Sequence, residues 1–210
     1  MEVELQYMYM GEAMPVVPTE LAKLPLARSD SFLLTDTYFD GEELPLRKAG
    51  CSLRVRVSNG DASAVLTWKG KAKRRKRKKV RAEIELPITA PPAGGEEPLM
   101  LLSRHGIDRL IRQAGIDDPG RLHAIGELRN DRSRHTYVRG LLRLELTWDR
   151  LEYPIGRRET RVEVEAKSSS ALRYLTQADE ELRRLFADDL DSPRRGKVKE
   201  LCARLYPELV

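Results

Sequence analysis

Like charges recur in pairs two residues apart along the chain: Glu2 with Glu4, Arg54 with Arg56, Glu83 with Glu85, and Glu163 with Glu165. A spacing of two puts both side chains on one face of a β-strand, where they repel mildly. An ordinary solvated sheet presents mixed Ser, Thr, Gln and Asn there and gains nothing from repeating such pairs. A surface that binds a polyanion together with a cation needs both kinds. Carboxylate oxygens are the donors that magnesium and manganese prefer. Guanidinium forks and ammonium groups neutralise and orient phosphate oxygens. A triphosphate chain calls for all of these at once, and a divalent metal there can polarise phosphorus and activate a water molecule.

Strands must carry these charges, and the sequence supplies them. "EVELQYMY" (2–9) alternates polar residues with Val3, Leu5 and Tyr7. "SFLLTDTYFD" (31–40) is rich in β-branched and aromatic residues, and "SLRVRV" sets Arg54 and Arg56 against Leu53, Val55 and Val57. "SAVLTWK" and "VRAEIELPI" flank a basic stretch as the arms of a hairpin, with Arg81, Glu83 and Glu85 on one face. Leu99, Leu102, Leu110, Ile111 and Ala114 recur at helical spacing, predicting a helical insertion near 98–114. Strands resume at 125–138, at Leu141 to Asp149 and at Thr160 to Lys167. Leucine stripes predict helices over 170–206.

About eight strands with few helices indicate an α+β fold built on an antiparallel β-barrel or large sheet. Burying so many charges is prohibitive unless they pair with one another or meet water and ligand. A wide, hydrated barrel interior with helices on its apolar outer wall is therefore expected. No linker or repeat divides the chain, and residues 1–210 are expected to form a single domain.

Composition narrows the functional classes. The net charge of +5 is local: residues 71–79 hold eight positive charges and no acid, and 5 − 8 leaves −3 elsewhere. That stretch reads as a solvated hairpin tip, or as a docking site for polyphosphate or nucleic acid, although no aromatic residue is interleaved to stack on bases. Cys51 and Cys202 are expected to be reduced structural thiols, and His105, His123 and His135 have no zinc-ligand spacing. G-x-x-x-x-G-K-[ST], G-x-G-x-x-G and G-x-S-x-G are all missing, so phosphate would be handled without a P-loop. No apolar run is long enough for a membrane helix and the first residues are acidic, so no membrane partner and a cytoplasmic location are expected.

The ordered set of motifs resembles the CYTH superfamily of adenylyl cyclases and thiamine triphosphatases, the triphosphate tunnel metalloenzymes. "EVELQ" is similar to the E-x-E-x-K signature at Glu2 and Glu4, with Gln6 in place of the lysine. "YFDGEELPLRKAGCSLRVR" resembles the tyrosine–aspartate segment followed by L-R-x-R; "LTWKG" and "RAEIEL" resemble the T-x-K and R-x-E-x-E strands. "RSRHTY", "LTWDRLE" and "VEVEAK" follow in order and extend the resemblance over nearly the whole chain.

The resemblance implies a closed eight-stranded antiparallel tunnel, with helices packed outside, that binds triphosphate with Mg2+ or Mn2+. It implies Glu2, Glu4, Glu163 and Glu165 as metal ligands, with Glu4, Glu85 and Glu165 nearest the chemistry. Arg54, Arg56, Lys69, Arg81, Arg132 and Arg134 would cradle phosphates, joined by Lys197 from the C-terminal segment. Glu83 and Asp149 would orient these cations or support a second metal. The leading expectation is hydrolysis of a triphosphate by water attack at a terminal phosphorus. Adenylyl cyclisation and phosphate or polyphosphate binding without catalysis are the alternatives. The first lacks a recognisable adenine pocket; the second draws on Gln6 and the basic stretch.

Overall fold

Strands whose two faces differ so sharply can be buried only if each face finds its own environment. In the computed structural model they do so by curling. The structure describes residues 1–12, 16–58, 64–75, 78–88, 106–193 and 195–209. The strands in chain order are β1 (Glu2–Tyr9), β2 (Glu20–Leu21), β3 (Leu24–Asp40), β4 (Ser52–Ser58), β5 (Ala64–Lys69), β6 (Lys73–Arg75), β7 (Lys78–Arg81), β8 (Glu83–Ile88), β9 (His123–Arg139), β10 (Leu142–Glu152), β11 (Arg158–Ala166) and β12 (Leu190–Asp191). The α-helices are α1 (Pro45–Lys48), α2 (Ile107–Gln113), α3 (Leu175–Phe186) and α4 (Lys197–Leu205). Positions 98–105 of the expected helical insertion lie outside the described residues.

All strand pairings are antiparallel, in the order β6–β7–β1–β11–β10–β9–β3–β4–β5–β8, with β12 beside β1 and β2 beside β3. The sheet is strongly curled: the Lys69 ammonium on β5 lies 2.8 Å from the Glu2 carboxylate on β1, strands far apart in that order. The expected closed eight-stranded ladder is not what the hydrogen bonds form. Their path is open and ends at β6 and β8. The reason lies at Ala82, where the chain leaves the β1 ladder after Arg81 and joins the β5 ladder at Glu83. This seam is bridged by side chains and by the Gly70 N–H donating to the Ala82 carbonyl, at 2.9 Å, rather than by a continuous ladder.

The apolar face is the convex one. Val3, Leu5, Tyr7, Leu144, Leu146, Trp148, Val162 and Val164 are buried there against Leu175, Ala178 and Leu182 of α3. The spacing of those helix residues keeps them on one stripe, which is why α3 lies along the sheet. A second helix shapes the interior: Leu201 and Cys202 of α4 pack against Tyr38, Ile125, Leu128, Leu151 and Tyr153. Gly126 permits that approach, because a Cβ there would stand 2.5 Å from Leu205 Cδ1. The result fixes Lys197, the first residue of α4, over the charged face. Among the described residues no helix is long and apolar enough to cross a membrane.

Candidate functional site

The inner face carries the charge. Alternation turns Glu2, Glu4 and Gln6 of β1 inward, and register sets their neighbours: Glu4 stands opposite Glu165, which stands opposite Glu145. Gln6 stands opposite Glu163, Glu163 opposite Thr147, and Thr147 opposite Arg134. On the other limb Asp36 stands opposite Arg56 and Lys69 opposite Glu83. Apart from Asp36, these residues line a cavity of about 250 Å³, where among the described residues nine cationic side chains stand against seven carboxylates.

Ion pairs arrange these groups. Asp36, fully buried behind the wall, accepts two hydrogen bonds from the Arg56 guanidinium at 2.6 and 2.8 Å and one from Arg54 at 3.0 Å. Asp149, also fully buried, accepts from Arg132 Nε and Nη2 at 2.6 and 2.7 Å and from Asn130 at 3.0 Å, and it pairs with Lys197. Lys197 also reaches Glu163 at 3.0 Å. Glu2 pairs with Lys69 and Arg81, and Lys69 reaches Glu83 at 2.6 Å. Glu4 Oε1 accepts from Gln6 and Arg81 at 3.0 and 3.1 Å and forms an ion pair with Lys79 at 3.2 Å. Arg134 is held by Asp30 at 3.2 Å and stacks on Phe32, 4.6 Å from the ring centroid.

These surroundings split the carboxyls. Burial pushes Asp36 and Asp149 up, but the adjoining cations outweigh it and hold both below the usual carboxylate range. Glu163 is held at about 2: burial raises it, and Lys197 and Arg132 prevail over that and over Asp149. Glu4 goes the other way, raised by burial and by Glu163 and Glu2. Glu165 is pushed up to about 7, chiefly by burial, with Lys167 at 3.0 Å pulling it down and Glu2 and Glu4 pushing it up.

Some polar atoms are left over. Arg54 Nε, Arg134 Nε and Thr147 Oγ1 are buried without a hydrogen-bond partner, and all three residues line the cavity. A buried polar atom left unpaired costs free energy, and these three belong to residues of the cavity wall.

The structure therefore places Glu2, Glu4, Glu163, Glu165, Glu83, Glu85, Arg54, Arg56, Lys69, Arg81, Arg132, Arg134 and Lys197 around one cavity. Asp149 lies just behind its wall, and Glu85 is exposed at its rim. Among the described residues no three acidic, histidine or cysteine side chains converge as a preformed metal cluster. Cations already hold Glu2, Glu4 and Glu163. Sequence reasoning passed over Asp36, Lys79, Glu145 and Lys167. Glu145 shares its alternation with Asp149, which was a usable signal. Lys79 was counted with the basic stretch 71–79, whose positions 76–77 lie outside the described residues; alternation with Arg81 turns it inward.

A second, larger groove of about 850 Å³ is lined by Tyr9, Leu33, Arg150 and Asp131 among others. Its charges pair locally, Arg158 with Glu152 and Arg150 with Asp131, as ordinary surface pairs do.

Comparison with known proteins agrees with this fold. HpAC1 from Hippeastrum, an adenylyl cyclase candidate for which a dominant triphosphatase activity is described, superposes with a TM-score of 0.66 at 20% identity, over 97% of this chain and 96% of that one. PH1819 from Pyrococcus horikoshii superposes at 0.55 and 19% identity, over 96% and 99%. An adenylate cyclase candidate from Bacillus halodurans does so at 0.54 and 19% identity, over 81% and 82%. No curated protein matches the chain in sequence. The CYTH domain profile matches residues 1–196, and the chain belongs to the CYTH domain family.

Proposed function

We propose that the cavity binds the triphosphate chain of an inorganic or organic substrate and that water hydrolyses it at a terminal phosphorus, with magnesium or manganese bound alongside. The observation that carries this reading is the density of opposed charges in one cavity that retains unpartnered Arg54 and Arg134 Nε atoms. Buried ion pairs contribute little to stability, so a fold gains nothing from concentrating them unless a ligand uses them. The triphosphatase activity described for HpAC1, which shares the fold, supports the same reaction class.

Charge accounting supports the metal. Among the described residues nine lining cations face seven lining carboxylates, and Asp36, Asp149 and Asp30, which do not line the cavity, pair with those same cations. With these groups ionised, the described cations carry no excess of positive charge over the carboxylates that pair with them, so a triphosphate needs further positive charge. The donor chemistry fits a divalent ion: Glu4, Glu165 and Glu145 stand in register on adjacent strands and offer hard oxygen ligands. Such an ion, when bound, would neutralise phosphate charge and acidify water.

In this reading Arg54, Arg56, Arg132, Arg134, Lys197, Lys69 and Arg81 surround the phosphate chain, with Arg132 and Lys197 held side by side on Asp149 and Glu163. Asp36 and Asp149 fix the forks of Arg56 and Arg132 through paired hydrogen bonds, so little side-chain freedom is lost on binding. Glu165, held by Lys167 at 3.0 Å, would take the proton released by the attacking water.

The test is to incubate the protein with tripolyphosphate, ATP and thiamine triphosphate, each with magnesium or manganese, while following orthophosphate and cyclic AMP. Orthophosphate release that stops on chelation is expected. Cyclic AMP in its place would assign a cyclase, and tight binding without turnover would leave a binding protein.

A further inference from the structure

Position 6 is neutral, yet an ammonium stands beside it. Gln6 Nε2 donates to Glu4 Oε1 and to Glu163 Oε1, both at 3.0 Å, so the amide bridges the buried Glu4 and the half-buried Glu163. Its carbonyl oxygen accepts from Lys79 Nζ at 3.1 Å. Lys79 arrives from β7, one strand over, where register sets it opposite Glu4. Its side chain is only 15% exposed, although the stretch around it is the most basic in the chain.

An ordinary ion pair between Lys79 and Glu4 does not account for this arrangement. Glu4 Oε1 already accepts from Arg81 and from Gln6. The second acceptor of Lys79 is an uncharged amide, a poor return for desolvating an ammonium. An ammonium carries three donors. Among the described residues its partners are Gln6, by hydrogen bond, and Glu4, by ion pair, and Lys79 lines the cavity with a further N–H to offer.

Resting on the function proposed above, we infer that Lys79 binds a phosphoryl oxygen of the triphosphate, and that Gln6 is a positioning residue that holds Lys79 at the cavity while tying Glu4 to Glu163. The positive charge that the first strand lacks is delivered from the neighbouring strand. Gln6 and Lys79 then form one unit, and their chemistry is exchangeable between the two positions.

The experiment is calorimetric titration of tripolyphosphate into the full chain at saturating magnesium, with a thermal melt of each variant. Lys79→Gln is expected to weaken binding about ten- to a hundredfold, the loss of one charge-assisted contact. Lys79→Arg retains most of the affinity. Gln6→Lys combined with Lys79→Gln restores it to within about threefold of wild type. Lys73→Gln, an exposed lysine of the same hairpin, leaves it unchanged. Wild-type affinity in Lys79→Gln overturns the inference while the proposed function stands. An exchanged pair that folds but binds no better than Lys79→Gln overturns the sharing of one ammonium site. Wild-type protein that binds no tripolyphosphate overturns both proposals.

Discussion

The two faces of β1, β10 and β11 are written by alternate residues of the same strands, and they obey opposite rules. The convex face holds Val3, Leu5, Leu144, Leu146, Trp148, Val162 and Val164 under α3, and is held by apolar area and close packing. The concave face holds Glu2, Glu4, Glu145, Asp149, Glu163 and Glu165, and is held by pairing each charge to an opposite one. The first face has its partner within the chain. The second has satisfied its charges provisionally, by turning its cations onto its own carboxylates. A fold can be stabilised by one face and made useful by the other, and the comparison becomes testable because damage to each should register in a different measurement.

The largest effect is expected on the convex face. Trp148 is buried edge-on to Tyr9 and Phe186, with centroid separations of 5.3 and 5.4 Å. Trp148→Ala should cost about 3–5 kcal/mol of stability through lost burial and the cavity left behind. Urea unfolding measures it. A cost under about 1 kcal/mol would mean that α3 is not a working part of the core.

On the concave face the loss should fall on turnover instead. Glu4→Gln keeps size and one carbonyl acceptor for Gln6 and Arg81, and Glu4 is a carboxyl whose charged form is already disfavoured by burial, Glu163 and Glu2, so the melting temperature should change little. Phosphate release should fall at least about a hundredfold, equivalent to ~2.7 kcal/mol. Full activity in the folded variant would remove Glu4 from the site; a large loss of stability would mean that the inner face also carries the fold.

Much of this contrast is legible in the sequence, and the parts that are not have physical causes. Alternation fixes which residues share a face: Glu163 and Glu165 against Val162 and Val164 needs no structure. It does not say that the charged face is concave, since that depends on which side the helices cover. The seam at Ala82 was out of reach because Arg81, Glu83 and Glu85 read as one unbroken alternation, whereas the chain changes ladder partners within it. Lys79 was hidden by its neighbours: within a run of like residues no apolar position marks the parity until Val80. Asp36 was obscured by threonines on either side, which blur the alternation of its strand.

A smaller effect should appear in acid. Asp36 is titrated well below its unfolded value of about 3.9 by Arg54 and Arg56, against the opposing push of burial. A depressed carboxyl contributes stability that is fully present above the unfolded pKa and is lost as pH falls below it toward the folded value. Asp36→Asn should therefore cost about 1–3 kcal/mol at pH 7 and progressively less below pH 4, so the two stability curves converge in acid. Urea midpoints at pH 7 and pH 3 give the slope. Parallel curves would show that Asp36 is not the titrating partner of the two arginines.

The smallest effect is expected where charge is densest but furthest from both faces. Lys71 and Lys73 are exposed at the β5–β6 turn and the edge of the sheet, while Lys79, a few residues on, is turned into the cavity. Salt near 0.15 M screens exposed charges over about 8 Å, so these two lysines should add little to the field inside. Neutralising both as Gln should alter tripolyphosphate affinity by less than about twofold, while a long polyphosphate chain, which extends beyond the cavity mouth, should lose affinity. Its log–log salt dependence should become shallower by about one to two, the share of two released counterions. Equal losses for the short and the long substrate would move Lys71 and Lys73 from the solvated rim into the inner site, and the boundary between the two kinds of surface would have to be redrawn at the hairpin.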